Sequence, residues 1–171
     1  SGKKYYLGGV VVNTLNIKKK RGGAVSYLYE YSYIFFASLI KQLKILVSGA
    51  INLVHIHNMP DFLVFSGWLS RQFGAKVVLD LHDPMPELMS TIFGAGESSL
   101  PVKALKFIEK KSIRFSDLTI TVNETCRKMF SARSNPKEPI EVLMNLPDEA
   151  LFESRAPSEV SPAVLGRPMS T

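Results

Sequence analysis

Apolar and polar positions alternate in long blocks along this chain. Two apolar blocks, 51–57 and 77–81, are rich in Val, Ile and Leu and leave little room for an exposed face. Blocks of this kind are typical of parallel strands that are buried on both faces. Each block ends abruptly in His, Asn, Asp and Pro residues. Because open α/β sheets bind ligands beyond the carboxyl ends of their strands, the pattern predicts a site for a small polar ligand at this rim.

The rest of the chain continues the alternation of strand-like and helix-like segments. The helix predicted at 60–73 has Pro60 in its first turn and Gly74 as its stop. Such alternation indicates βαβ units with right-handed crossovers. We therefore expect an α/β fold with a three-layer, Rossmann-like parallel sheet and helices on both faces. The predicted strands are 10–15, 51–57, 77–81, 118–122 and 140–144, and the predicted helices are 24–47, 60–73, 86–92, 100–115 and 124–131.

Composition narrows the class of protein further. A chain of 171 residues with 46% hydrophobic and 21% charged residues has the size and balance of one soluble α/β domain. The single cysteine, Cys126, excludes a disulfide framework and a multi-cysteine metal site, and it suits a reducing cytoplasm. The formal net charge of +6 fits anionic lipid, a lipid-linked phosphate or nucleic acid. Since no nucleic-acid-binding signature accompanies the charge, we expect no nucleic-acid partner.

A His-x-His pair ends the first apolar block. His55 and His57 lie two residues apart on a predicted strand, so both point to the same face. Such a pair can bind a metal, with Asp61 or Asp83 holding the second ring nitrogen. However, the chain has only three histidines, and a barrel hydrolase needs about 250 residues. We therefore expect no metal and no cofactor, with His55 packed inside the strand layer and His57 lining the cleft.

His82 follows the second apolar block directly, so the strand places it at the rim with little freedom. A neutral imidazole both donates and accepts hydrogen bonds, which suits a ring of sugar hydroxyls. The alternative role is a loop cap acting through Asp83.

Carboxylate pairs such as Asp83 and Glu87 are typical of glycoside hydrolysis. However, Asp83 precedes a proline, which is typical of a turn. Glu87 follows a proline at a helix start, where the helix dipole favours a negative charge. Both carboxylates therefore also have a structural explanation.

Asparagines open two of the predicted helices. Asn58 either caps the helix that starts at 60 through its side-chain oxygen or reaches into the cleft. Asn123 and Glu124 repeat this arrangement after the strand at 118–122. Both readings stay open at both positions.

A basic segment followed by aromatic residues leads into the helix at 24–47. The apolar run is interrupted by Glu30, Lys41 and Lys44, which argues against a transmembrane span. A basic, aromatic, amphipathic helix fits a membrane surface, and a core helix with a solvated basic lead-in fits equally well. The four consecutive basic residues are the candidates for membrane contact: Lys18, Lys19, Lys20 and Arg21.

Four segments in consistent order, over roughly residues 5–152, resemble the N-terminal domain of glycosyltransferase family 4. These are the His-x-His strand end, the His-Asp-Pro-Met-Pro-Glu segment at 82–87, the Asp-Leu-Thr-Ile-Thr-Val-Asn-Glu segment at 117–124 and the Met-Asn-Leu-Pro-Asp turn at 144–148. Members of this family are retaining, nucleotide-sugar-dependent enzymes with two Rossmann-like domains, the GT-B fold. The resemblance implies that His82 is the catalytic residue that contacts the transferred sugar near its anomeric centre. It also implies that sugar or acceptor is bound by His57, Asn58, Asp61, Asp83, Glu87, Asn123 and Glu124.

The resemblance also sets expectations for partners and domain organisation. It implies a nucleotide-sugar donor as substrate and a glycan or lipid-linked acceptor. We expect 1–152 to be a partial N-terminal domain that lacks the family's opening strand, glycine-rich loop and helix. We expect 153–171, rich in Ser, Pro and Ala, to be a linker toward an absent C-terminal donor domain, and the fragment alone to be inactive.

We expect the protein to be cytoplasmic. The basic segment also favours contact with the inner face of the membrane. Two alternatives to the transferase remain. One is a non-catalytic subunit that binds a membrane or a partner chain. The other is a metal-dependent hydrolase that uses His55 and His57.

Overall fold

A computed structural model of the chain describes residues 3–15, 24–94, 96 and 98–146. The chain begins with a two-stranded antiparallel hairpin, β1 (Lys4–Leu7) and β2 (Val10–Asn13). Gly8 and Gly9 join the strands with φ of 54° and 82°, a conformation that glycine adopts without steric cost. The sequence predicted a strand at 10–15 with no strand before it. The predicted strand is confirmed as β2, whereas β1, which pairs with it in a sheet of its own, was not predicted.

The central sheet has four parallel strands in the order β3-β4-β5-β6. Helices connect its successive strands, so the α/β, Rossmann-like parallel sheet flanked by helices is confirmed. Gly74, at φ 89°, follows the second helix as predicted. The strands are β3 (Leu53–His57), β4 (Lys76–Leu81), β5 (Leu118–Thr121) and β6 (Glu141–Val142), and the helices are α1 (Ala24–Ser48), a 3-10 helix (Asp61–Gly67), α2 (Trp68–Gln72), α3 (Met85–Phe93), α4 (Leu100–Phe115) and α5 (Glu124–Ser134).

The connection between β3 and β4 differs from the single α-helix predicted at 60–73. It starts as a 3-10 helix and becomes α-helical only at Trp68. The backbone at Gly67 lies so close to β4 that an added Cβ would be 3.2 Å from a methyl carbon of Val77. A side chain there would press on Val77, and either residue would have to move by a few tenths of an ångström, so the glycine makes the close approach possible without that shift.

The hydrophobic core lies against one face of the central sheet. Val77, Leu79 and Leu81 of β4 are fully buried there. Because strand side chains alternate, Val78 and Asp80 point to the opposite face. The register of β3 against β4 pairs His57 with Asp80, so these side chains share that opposite face. The core against the first face is completed by Val64, Ile113, Phe130 and Ile140.

Helix α1 packs one side against the 3-10 helix and α2. The side chain of Gln42 donates to the carbonyl of Ser66 at 2.9 Å and accepts from the hydroxyl of Ser70 at 2.6 Å. Along the described part of the chain, no helix combines the length and apolar character that crossing a bilayer requires. Another side of α1 exposes a stripe at helical spacing, formed by Tyr29, Tyr33, Phe36, Ile40, Leu43 and Val47.

Candidate functional site

Three imidazoles and one carboxylate converge where β3 and β4 end. We call this group the histidine cluster; its members are His55, His57, Asp80 and His82. Strand alternation brings them together, because residues two apart share a face and the β3–β4 register sets His57 beside Asp80. The predicted meeting of the two strand ends at one rim is therefore confirmed for both segments.

One oxygen of Asp80 is the centre of the histidine cluster. Its Oδ2 lies 2.8 Å from Nδ1 of His57, 3.1 Å from Nε2 of His82 and 3.5 Å from Nε2 of His55. The rings of His55 and His57 stack with centroids 4.6 Å apart. The Asp80 side chain is only 11% exposed, whereas that of His57 is 64% exposed. The carboxylate of Asp80 is thus nearly buried, and the imidazoles that surround it are accessible to solvent.

The sequence interpretation missed Asp80. It named Asp61 or Asp83 as the partner of the His-x-His pair, and that assignment is wrong. The available signal was a single carboxylate inside the apolar strand of residues 77–81. A buried carboxylate requires a partner, and the residues most able to supply one lay on the neighbouring strand. The prediction that His55 packs in the interior is also wrong, since its side chain is 41% exposed.

His82 is fixed from three sides. Its backbone N–H donates to the side-chain oxygen of Asn58 at 3.0 Å. Its Nε2 lies 3.1 Å from the Asp80 carboxylate, and its Nδ1 lies 3.4 Å from the side-chain amide of Asn145. The ring remains 35% exposed. The imidazole is therefore held at the rim, with the side near Asn145 as the one that a ligand can compete for.

Asn58 holds the two strand-end loops together and does not cap the following helix. Its amide nitrogen donates to the carboxylate of Asp61 at 3.1 Å and to the backbone carbonyl of Asp83 at 2.7 Å. The helix begins after Pro60 without a side-chain cap, so the cap role predicted as one alternative is wrong. Asp61 is buried, and burial raises its pKa to about 6. The hydrogen bond from Asn58 lowers the pKa, but this effect is smaller than that of burial.

The remaining predicted site residues fall into different surroundings. Asp83 has an exposed side chain at the rim. Asn123 caps α5, accepting from the backbone N–H of Cys126 at 2.8 Å, which agrees with the cap alternative. Glu124 accepts hydrogen bonds from Arg127 at 2.7 and 2.5 Å, and these lower its pKa. The basic residues Lys18, Lys19, Lys20 and Arg21 lie outside the described residues.

Glu87 belongs to a second charged group, which we call the arginine network: Arg133 with Glu87 and Glu109. The guanidinium of Arg133 donates to Glu87 at 2.6 Å and to Glu109 at 2.6 and 2.7 Å. Glu109 is fully buried, and burial raises its pKa to about 7 even though the hydrogen bond from Arg133 lowers it. This network ties α3, α4 and α5 together. Its geometry explains Glu87 as a structural ion-pair partner.

A polar cleft of about 470 Å³ lies at the opposite, amino end of the sheet. Its walls include Arg71 and Asp117, which form an ion pair at 3.1 Å. Asp117 also accepts from the backbone N–H of Val77 at 2.9 Å. These groups are thus engaged in joining β4 to β5. The cleft lies at the end of the sheet opposite the rim expected for ligands in open α/β sheets, and its Arg71 and Asp117 are engaged with each other.

Comparison with known families agrees with the geometry at the rim. The family model described as Glycosyltransferase Family 4 matches residues 13–149, which is more than half of the chain. None of the curated proteins compared with the chain matches it. The match spans the parallel sheet and both strand ends that form the histidine cluster. The chain belongs to glycosyltransferase family 4.

Proposed function

We propose that this domain is the acceptor side of a retaining glycosyltransferase that moves a sugar from a nucleotide-sugar donor to a polysaccharide or lipid-linked acceptor. The observation that carries the proposal is the histidine cluster, placed by two adjacent parallel strands at the rim of a family 4 domain. Imidazoles that accept or donate, at a solvent-accessible edge, suit the alternating hydroxyls of a sugar ring.

His82 is the residue proposed to contact the transferred sugar. Asp80 accepts at Nε2, so the ring presents Nδ1 toward the exposed side, where the amide of Asn145 lies at 3.4 Å. A sugar hydroxyl that replaces this amide would find an imidazole already oriented. Asp80 and Asn58 are proposed as positioning residues, since each fixes His82 and neither needs to touch the sugar.

Direct substrate contact is further proposed for His57 and Asp83, whose side chains are exposed at the rim. Asn58 and Asp61 support them from beneath through their mutual hydrogen bond. Glu87, Asn123 and Glu124 have local partners that account for them, so their proposed role is to hold α3 and α5 in place.

The donor nucleotide is proposed to be held mainly by residues outside those described. The groups that form the rim are imidazoles, amides and carboxylates, which suit hydroxyls better than a diphosphate. A diphosphate is best bound by Arg, Lys or helix amides. It follows from this proposal that the 171-residue chain alone turns over no nucleotide sugar.

A lipid-linked acceptor is favoured by the surface of α1. The exposed stripe from Tyr29 to Val47 runs along about 27 Å of helix. Lys44, exposed on the same helix, adds a cation that anionic headgroups attract. We propose that this stripe lies on the inner membrane face and brings the rim close to its acceptor.

The test is a transfer assay with a complete protein that contains this domain, given a panel of nucleotide sugars and acceptors in vesicles. We expect transfer with retention of anomeric configuration, and faster transfer when the vesicles contain anionic lipid. The isolated 171-residue chain is expected to transfer nothing. Failure of the complete protein with every donor would contradict the catalytic proposal and favour a binding subunit. An inverted product would contradict the retaining mechanism alone.

A further inference from the structure

The donor atoms of the histidine cluster lie at the separations found around a bound metal ion. His57 Nδ1 and His82 Nε2 are 3.4 Å apart. Both lie close to Asp80 Oδ2, at 2.8 and 3.1 Å, and His55 Nε2 lies 3.5 Å from the same oxygen. For a tetrahedral ion with bonds of about 2.0–2.1 Å, neighbouring ligand atoms are about 3.3 Å apart. Three of the four separations lie within about 0.2 Å of this value. The fourth, 2.8 Å between His57 Nδ1 and Asp80 Oδ2, is that of a hydrogen bond.

The chemistry of these donors fits one class of ion. Imidazole nitrogens and a carboxylate oxygen are ligands that zinc and related divalent transition metals prefer. The donor atoms of His55, His57 and Asp80 all lie within 4.8 Å of one another. His82 lies next to this group, with its Nε2 3.1 Å from Asp80 Oδ2, but does not belong to it.

The surroundings hold the ligands in place. His55, His57 and Asp80 are parts of paired strands, so their positions are set by the sheet. His82 is anchored through its backbone by Asn58. Its Nδ1 lies 3.4 Å from the amide nitrogen of Asn145, which can only donate, so Nδ1 accepts and the proton on Nε2 points to Asp80. The exposed ring of His57 leaves an entry path from solvent.

We propose that the histidine cluster is a binding site for one divalent transition-metal ion, with His55, His57 and Asp80 as ligands and solvent in the remaining position. The sequence interpretation expected no metal, because the chain has only three histidines and is too short for a barrel hydrolase. The inference does not rest on the proposed transferase activity, since it uses only the donor atoms and their separations. Both uses engage His57, so a bound ion and a sugar would compete for its ring.

The experiment is titration of the metal-free chain with Zn²⁺ by calorimetry and with Co²⁺ by visible absorption. We expect one ion per chain and the intense visible absorption of four-coordinate Co²⁺. His57→Ala should weaken Zn²⁺ binding by at least about tenfold. This side chain is exposed, so its loss leaves the core intact. Asp80→Asn should weaken binding at least as much.

Asp83→Asn is the matched control, because it removes a nearby exposed carboxylate that has no side-chain contact with the cluster. It should leave Zn²⁺ affinity unchanged, and circular dichroism should show that each variant remains folded. Absence of Zn²⁺ binding would overturn the proposal. So would equal affinity in a folded His57→Ala variant, or a Co²⁺ spectrum of the weak, six-coordinate type.

Discussion

The histidine cluster and the arginine network both bring carboxylates out of water, yet they satisfy them in different ways. In the arginine network, two glutamates share one guanidinium whose charge is permanent, and Glu109 is fully buried. In the histidine cluster, one carboxylate faces three imidazoles that solvent reaches and whose hydrogen bonds can be rearranged. The first arrangement is complete within the fold. The histidine cluster retains side-chain groups that can bind a ligand. We therefore interpret the arginine network as structural and the histidine cluster as the candidate functional site.

The largest expected effect is on the arginine network. Arg133→Ala leaves Glu109 buried without its cation, and breaking a buried ion pair in this way costs about 3–5 kcal/mol. We expect the free energy of unfolding to fall by that amount at about pH 8, measured by chemical denaturation. The control is Arg127→Ala, another arginine of α5, whose partner Glu124 is exposed. It should leave stability nearly unchanged. Equal losses in the two variants would remove the distinction between the regions.

A smaller effect is expected on the pH dependence of the free energy of unfolding. Burial raises the pKa of Glu109 from 4.5 to about 7 and that of Asp61 from 3.8 to about 6. Both carboxyls hold their protons more tightly when folded, so their stabilising contribution is complete below pH 4 and is lost as the pH rises through the folded pKa values. We expect the free energy of unfolding to decline between about pH 4 and pH 7, by at most ~1.4 kcal/mol per pH unit for each carboxyl.

Glu109→Gln isolates this contribution, because the amide does not titrate and its oxygen can still accept one of the two hydrogen bonds from Arg133. The decline in stability between about pH 4.5 and pH 7 should be shallower in Glu109→Gln than in the unaltered chain. Parallel curves for the two proteins would show that Glu109 does not titrate in this window. The arginine network would then be a fixed ion pair throughout.

The sequence predicted the helices and parallel strands well where the periodicity was long and uninterrupted. Helix α4 has the predicted bounds of 100 and 115, since its amphipathic pattern and the Ser116 break define both ends. The 3-10 start at Asp61 and the β1–β2 hairpin were missed. The 3-10 start depends on tertiary contacts, such as the close approach of Gly67 to β4, that the sequence pattern does not contain. The hairpin is local, and the Gly8-Gly9 pair between its strands was an available signal.

The candidate site was predicted in location and only partly in composition. His57 and His82 were placed at the rim because each ends an apolar block. Asp80 was taken for a strand residue because alternation alone cannot show which neighbour faces it. Arg133 was missed for a similar reason, since its partners Glu87 and Glu109 are 46 and 24 residues away in the sequence. A single sequence does not show which residues that are far apart in the chain contact each other.

The most direct test of the account is the turnover number of His82→Ala in an active glycosyltransferase that contains this domain. A hydrogen bond that strengthens as positive charge develops on the sugar acts on the transition state more than on donor binding. Loss of such a contact costs about 2–4 kcal/mol, which corresponds to roughly a hundredfold or more in rate. We predict that turnover falls by this factor while nucleotide affinity, measured by calorimetry, stays nearly the same. Near-full turnover in a folded His82→Ala enzyme would contradict the assignment of this rim as the site of sugar transfer.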